Sequence, residues 1–573
     1  MSPQTPTAGL PGEAAEDAAR DLTQPGAARA PSPAAATRVL MVASENDALP
    51  PVRTAEGEVT GKVGGIGDVV RDAPRALAER GCAVAVVTPA YGVYGAVPGA
   101  HRLAGLEVTF GGGRHFLELY QVPGRQLTPG VRQLVIDHPL FSPCGKGRIY
   151  CNDPPQRAFA SDASKYALFC AAVAAGIEQG AFGPLDVVHL HDWHAAFLLI
   201  LRRHEPYSRR LRQLRCTFTI HNLALQGIRP FDGDASSLQA WYPHFAWERA
   251  ALADPRWNDC VNPMAVGIRM ADAVHAVSPS YAQEILRPSA VAAHGYYGGE
   301  GLEDDLRKAH AEGRLFGILN GCEYPSQAAT PALGDWTDCV ALMRSQVLRW
   351  TADQATLASA QFLAHTRLGA LGETRPGFVV TSIGRITDQK VRLLRQATTD
   401  GRPALEKLLE ALGQDGVLLL LGSGDPGYEQ FLTGIAARHG NFIFLRGYSD
   451  ALAEALYLHG DLFLMPSSFE PCGISQMLAL RSGQPCLVHN VGGLRDTVAD
   501  GVNGFAFSGS GMSEQAENMV AALRRALTVH HQQPERWQRL RRAALASRFP
   551  WTNSVDDYLK HLYQRPVAVR APD

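Results

Sequence analysis

Ser467-Ser468-Phe469-Glu470-Pro471-Cys472-Gly473-Ile474-Ser475-Gln476 is the stretch on which the reading of this chain turns. The apolar run Asp461-Leu462-Phe463-Leu464-Met465 ahead of it reads as a buried strand, and Met477-Leu478-Ala479-Leu480 behind it reads as the start of a helix. Strand, polar loop and helix start in that order form the corner of an open α/β sheet, where ligands sit outside the carboxyl ends of the strands. Glu470 stands in that corner. A carboxylate there can orient hydroxyl groups, while the free amides of the helix start attract anions. Taken alone, the stretch leaves open whether Glu470 only caps the helix.

The same alternation extends in both directions. Upstream, Phe378-Val379-Val380-Thr381-Ser382-Ile383, Gly416 to Gly422 and Phe442-Ile443-Phe444-Leu445 read as strands, and Pro485-Cys486-Leu487-Val488 follows the corner. Gly492-Gly493-Leu494-Arg495-Asp496-Thr497 then forms a glycine-rich turn into a helix. Arg385 and Lys390 follow the first of these strands, five residues apart, a spacing at which two cations neutralise a diphosphate. An earlier series opens with Arg38-Val39-Leu40-Met41-Val42-Ala43, then Gly61-Lys62-Val63-Gly64-Gly65-Ile66-Gly67-Asp68 leading into a helical segment that ends at Gly81. A glycine-rich turn with a lysine at this point brings backbone amides close to phosphate. Strands at Cys82–Val87, 133–136, 186–190, 217–220 and 273–277 continue the series. Two of them end in polar clusters, His191-Asp192-Trp193-His194 and His221-Asn222-Leu223-Ala224-Leu225-Gln226-Gly227, and both clusters open onto one crevice. The expected fold is therefore α/β, with two doubly wound Rossmann-like halves facing across a cleft.

Composition bounds what such a cleft serves. A chain of 573 residues is too long for one core. A formal net charge of −2 gives no reason to expect nucleic acid or an anionic membrane as partner, so any anionic ligand is held by local cations. No apolar run approaches the roughly 18 residues needed to span a bilayer. The ten cysteines are scattered, without a C-x-x-C pair or a His cluster at metal-ligand spacing. This fits reduced thiols in a cytosolic protein better than a disulfide framework or a zinc site. Residues 1–36, rich in Ala and Pro, read as a disordered tail. The expected division is 37–330 for the first half, 331–375 for a helical, Ala- and Gln-rich connector, 376–548 for the second half and 549–573 for a last helix.

The combination resembles the bacterial type of the glycogen and starch synthase family of retaining glucosyltransferases. It is carried by Lys62-Val63-Gly64-Gly65-Ile66-Gly67-Asp68, the His191 and His221 clusters, Val277-Ser278-Pro279-Ser280-Tyr281-Ala282 and Gly317-Ile318-Leu319-Asn320-Gly321. Arg385 to Lys390, Phe469-Glu470-Pro471-Cys472-Gly473 and Gly492 to Thr497 complete it, in the family's order, from about 38 to 563. The resemblance implies a GT-B fold, and transfer of glucose from ADP-glucose to the non-reducing 4-hydroxyl of an α-1,4-glucan such as glycogen or a maltooligosaccharide. It implies no cofactor and no metal, and cytoplasmic location. By matching position, Lys62, Arg385 and Lys390 contact the diphosphate with Gly64 and Gly65 close by; Asp192, His221 and Glu470 surround the glucose; and Asn320 and Ser475 line the site. Asp68, Trp193, Cys472, Gly473, Gly492 and Gly493 belong to the same motifs, and Tyr150 matches more loosely. The last helix is expected to cross back to the first half.

Some positions depart from the family pattern. About ten extra residues lie near Pro50 to Gly61; Val391 stands where glycine usually follows the lysine; 392–402 is lengthened; Ala265 replaces a usual lysine; and Cys322-Glu323 replaces Ile-Asp. These bear on donor preference and acceptor length. Three other readings share part of the pattern: a related transferase with another nucleotide sugar or a small acceptor, a glucan phosphorylase needing pyridoxal phosphate, and a non-catalytic glucan-binding protein.

Overall fold

The computed structural model describes residues 36–54, 57–203, 209–324, 334–352, 358–371 and 374–564. The tail expected over 1–36 lies, but for Ala36, outside the described residues. From Thr37 onward the described chain forms one compact unit built on two large sheets.

The first sheet has nine strands, in spatial order Leu315–Gly317, Ala273–Ala276, Arg215–Ile220, Val187–His191, Arg38–Val42, Ala83–Pro89, Val131–Asp137, Gly113–Val122 and His101–Phe110. Neighbours from Leu315–Gly317 through Val131–Asp137 pair in parallel; the last two strands pair antiparallel. The parallel strands are the continuous apolar runs of the sequence, buried on both faces by helices. The antiparallel pair was not anticipated. Its signal is alternation, with Leu106, Val108 and Phe110 facing Leu117 and Leu119 across a glycine turn.

The second sheet is wholly parallel, in the order Phe442–Arg446, Gly416–Gly422, Phe378–Ile383, Leu462–Met465, Cys486–His489 and Gly504–Phe507. Gly504–Phe507 also escaped the sequence reading. The stretch expected as a connector holds two helices, Trp336–Ala352 and Ser359–Leu371. Trp336, Cys339, Val340, Met343 and Val347, at helical spacing, pack with Ala364 and Leu368 against Val379, Leu419 and Ile443. These helices are thus a layer of the second sheet rather than a bare link.

The chain then returns to the first half through Trp551–Asp557 and the π-helical turn Tyr558–Tyr563. Trp551, Val555, Tyr558 and Leu562 share a core with Val39, Met41, Val69 and Val70. Tyr563 enters a buried hydrogen-bond chain whose direction one carbonyl fixes. Ile318 O can only accept, so His275 Nε2 carries its proton and donates (2.9 Å); His275 Nδ1 then accepts from Thr219 Oγ1 (2.9 Å). Thr219 in turn accepts from His189 Nε2 (2.6 Å), and His189 Nδ1 accepts from the Tyr563 hydroxyl (2.8 Å).

One expectation about the cysteines fails. Cys144 and Cys151 are joined in a disulfide, with Cα atoms 5.8 Å apart, while the other eight are free. A seven-residue separation carries no pairing signal by itself; the turn through Gly145 and Gly147, both at positive φ, brings the two sulfurs together.

Candidate active site

Ser44-Glu45 follow the first strand, Arg38–Val42, and Glu45 organises the glycine turn that comes after it. Its Oε2 accepts the amides of Val63 (2.7 Å) and Gly64 (2.6 Å), and its Oε1 accepts the Tyr150 hydroxyl (2.8 Å). Two amides of the glycine turn, expected to face phosphate, are thereby taken by a carboxylate of the same half. The helix Gly65–Glu79 starts without a side-chain cap, so its own first amides remain for an anion. Lys62 pairs with Asp68 (2.6 Å), whose carboxyl burial holds above the ordinary range against the pull of Lys62 and Arg71.

Asp192 opens the helix Asp192–Leu201 at φ +56°, in the left-handed region that non-glycine residues rarely enter. Its Oδ1 accepts the His221 amide at 2.6 Å. Burial pushes its carboxyl up to about 8, offset in part by the amides of His221 and Asn222. The His221 ring meets His191 Nδ1 through Nε2 at 3.0 Å, and burial, with His191 and His275 nearby, drives its proton affinity well below normal. His221 is therefore a neutral hydrogen-bonding group at ordinary pH. Trp193 points elsewhere: 2% exposed, it packs against Phe159 and Tyr166, which leaves it a core residue rather than a wall of the cleft.

In the second half the corner at Glu470 is built as a clamp. Glu470 is 6% exposed; its carboxylate pairs with Lys390 and accepts the Ser467 hydroxyl at 2.9 Å. His489 Nδ1 donates to Ser467 O at 3.0 Å, and burial lowers this imidazole to about 4. Gly492 and Gly493 serve close packing beneath the loop. A Cβ on Gly492 would sit 1.9 Å from Glu470 O, and one on Gly493 would sit 2.2 Å from Cys472 O. Their amides are already used, by Glu284 Oε1 (2.9 Å) and Glu470 O (3.0 Å), which corrects the expectation that they face substrate. Cys472 is buried and burial raises its thiol; Gly473 turns the chain toward the next helix. Ser475, expected in the lining, hydrogen-bonds the buried Tyr457. Asn320 Oδ1 is buried without a hydrogen-bond partner.

The two walls meet. Exposed Arg385 brings its guanidinium within 3.8 Å of where a Cβ on Gly64 would lie. Ser278 Oγ donates to Pro471 O (2.6 Å), Ser280 donates to Asp496 through its amide and hydroxyl (2.9 and 2.6 Å), and Tyr297 stacks on Phe469 with ring centroids 4.1 Å apart. Arg385 of the second half thus lies against the glycine turn at Gly64, Tyr150 reaches that turn through Glu45, Asp192 and His221 are joined within the first half, Lys390 and Glu470 are joined within the second, and Asn320 is buried beside Cys472. The sequence reading missed Glu45, although a carboxylate directly after the first strand was a usable signal. Among the described residues no three His, Cys, Asp or Glu side chains cluster to hold a metal ion.

Two Rossmann-like halves, with Asp192 and His221 at strand ends of the first and Arg385, Lys390 and Glu470 at strand ends of the second, have the architecture of a GT-B glycosyltransferase. Residues 38–308 match the family description "starch synthase catalytic domain", and residues 402–543 match "glycosyl transferases group 1". The glycogen synthase of Streptococcus equi subsp. equi is 32% identical over 523 residues, covering 88% of this chain and 97% of that one. That of Aeromonas salmonicida is 31% identical over 548 residues, covering 93% and 98%. The catalytic domain of starch synthase IV from Arabidopsis thaliana, solved with ADP and acarbose, superposes with a TM-score of 0.69 at 26% identity, covering 92% of this chain and 99% of that one. A sucrose-phosphate synthase from Thermosynechococcus elongatus, at 17% identity and a TM-score of 0.50, shares the fold. The chain belongs to the glycogen and starch synthase family.

Proposed function

We propose that this chain is a glycogen synthase that moves glucose from ADP-glucose to the non-reducing 4-hydroxyl of an α-1,4-glucan with retention of configuration. The observation that carries the reading is the Lys390–Glu470 pair, set at a strand end opposite the glycine turn and flanked by Arg385. The ADP and acarbose bound by the Arabidopsis relative support a nucleotide and a glucan-like chain as ligands of the same cleft.

Breaking the anomeric bond leaves negative charge on the departing diphosphate and positive charge on the sugar ring. Arg385, Lys390 and the uncapped start of Gly65–Glu79 are positive groups for the first, and they stabilise the transition state more than the ground state. Lys62 leaves Asp68 to reach the diphosphate. On the sugar side, Glu470 orients hydroxyls and offsets ring charge, while His221 and Asp192 supply neutral hydrogen-bonding atoms from the facing wall. Attack from the face that the diphosphate leaves gives retention, with a diphosphate oxygen taking the acceptor proton. Asn320 Oδ1, buried and unpaired, is an acceptor for a sugar hydroxyl. The reading places the chain in the cytoplasm. No described helix is long and apolar enough to cross a membrane.

The test is elongation of a maltooligosaccharide by the purified chain, resolved by length. Products longer by single glucose units with ADP-glucose support the proposal, preference for UDP-glucose overturns only the donor, and no elongation with either donor sinks it.

A further inference from the structure

The Cys144–Cys151 disulfide lies one residue from Tyr150. Cys144 is exposed, whereas among the eight free cysteines seven are buried and Cys260 is half-buried. Of the ten cysteines, those of the bridge thus include the one exposed residue. The segment it closes contains Gly145 at φ +117° and Gly147 at φ +78°, positions with wide conformational freedom once a cross-link opens. Within the closed segment the backbone is also held: Ile149 O accepts from Lys165 Nζ (2.5 Å) and Tyr166 OH (3.1 Å), Gly147 N donates to Tyr91 O (2.8 Å), and Cys151 N donates to Asp162 (3.2 Å). Tyr150 sits between these anchors and passes its hydrogen bond to Glu45, whose other oxygen holds the amides of Val63 and Gly64. One continuous set of contacts thus runs from an exposed sulfur to the glycine turn at the cleft.

We propose that Cys144 and Cys151 form a thiol–disulfide exchange site, taking a dithiol as co-reactant, and that their redox state sets the order of the Tyr150 loop and of the glycine turn. A thiolate of the dithiol attacks exposed Cys144 Sγ, and Cys151 leaves as a thiolate that takes up a proton. The second thiol of the reagent then displaces Cys144. Two cysteine thiols form, the reagent ends as its own disulfide, and two electrons and two protons have passed to the protein. The functional consequence, weaker donor binding in the reduced state, rests on reading the turn as the donor side of the cleft.

Mild dithiothreitol treatment of the folded full-length chain, followed by removal of the reductant and titration of free thiols after unfolding, with amide hydrogen exchange measured on the folded treated and untreated chain, tests the proposal. Expected are a rise from eight to ten thiols per chain and faster exchange at Val63 and Gly64 as well as within 144–151. Cys144→Ser should show that faster exchange without any reductant and no response to it; Cys151→Ser serves the same purpose if the first variant does not fold. No gain of thiols, or faster exchange confined to 144–151, overturns the proposal. ADP affinity, read by calorimetry, should fall about fivefold on reduction, the equivalent of one net hydrogen bond. Absence of ADP binding in both states, with the exchange result intact, counts against the donor reading and not against the exchange site.

Discussion

Glu470 and Lys390 hold each other, and that mutual hold gives the first prediction. Lys390→Ala removes a fixed cation from the leaving group and leaves a 6% exposed carboxylate unpaired, so turnover should fall on the order of 10²-fold in a steady-state assay. A second prediction concerns Asp192. Its folded pKa of about 8 stands above the ordinary carboxylate value, so the folded chain keeps a proton that the unfolded chain releases. The stability tied to this group is full below the unfolded pKa, declines as pH rises, and is gone once pH passes the folded pKa. The urea midpoint should therefore drop between about pH 5 and pH 8.5 in the native chain, and drop less in Asp192→Asn. At this scale the sequence made Glu470, Asp192, His221, Arg385 and Lys390 visible because each follows a recognisable strand. It did not make visible that Glu45 takes the turn's amides or that Glu284 takes the amide of Gly492, 208 residues away. The Glu284 contact is set by the packing of the halves, which local pattern does not encode, and the Glu45 contact by how the chain folds back within one half.

The returning helix is the element whose role the structure sharpens most. Its last aromatic residue starts the hydrogen-bond chain through His189, Thr219 and His275, and His189 stacks on His191 at 4.5 Å. Tyr563→Phe leaves His189 Nδ1 without a donor in a buried site, and the expected cost is about 1–3 kcal/mol of stability by urea denaturation. The parallel strands were legible as apolar runs. The antiparallel pair at 101–122 was not, since its exposed alternate residues break the run into short pieces. The helices at 336–371 looked like a connector because their composition is mixed, and only the spacing of Trp336, Val340, Met343 and Val347 reveals the buried stripe.

For the whole molecule, transfer depends on the two sheets presenting their carboxyl ends to each other. The contacts between them include polar ones, Ser278 on Pro471, Ser280 on Asp496 and Glu284 on the amide of Gly492, beside the Tyr297–Phe469 stack and the packing of Cys472 and Met477 into the first half's core. Asp496→Ala removes two of these bonds without touching the cleft, so it should raise KM for the donor several-fold while the unfolding midpoint of the chain changes by less than for Tyr563→Phe. An unchanged KM would show that this seam does not set the cleft. The central claim is that the Glu470 corner completes a glucosyl-transfer site only across this cleft. Its most direct test is transfer of labelled glucose from ADP-glucose to glycogen by the native chain and by Glu470→Gln, with ADP affinity measured on both. Expected are incorporation by the native chain, a loss on the order of 10²-fold in the variant, and ADP affinity within about twofold of native, because the glutamine removes a sugar-side charge and leaves the cations in place. Full activity in Glu470→Gln, or no incorporation by the native chain, would contradict the claim.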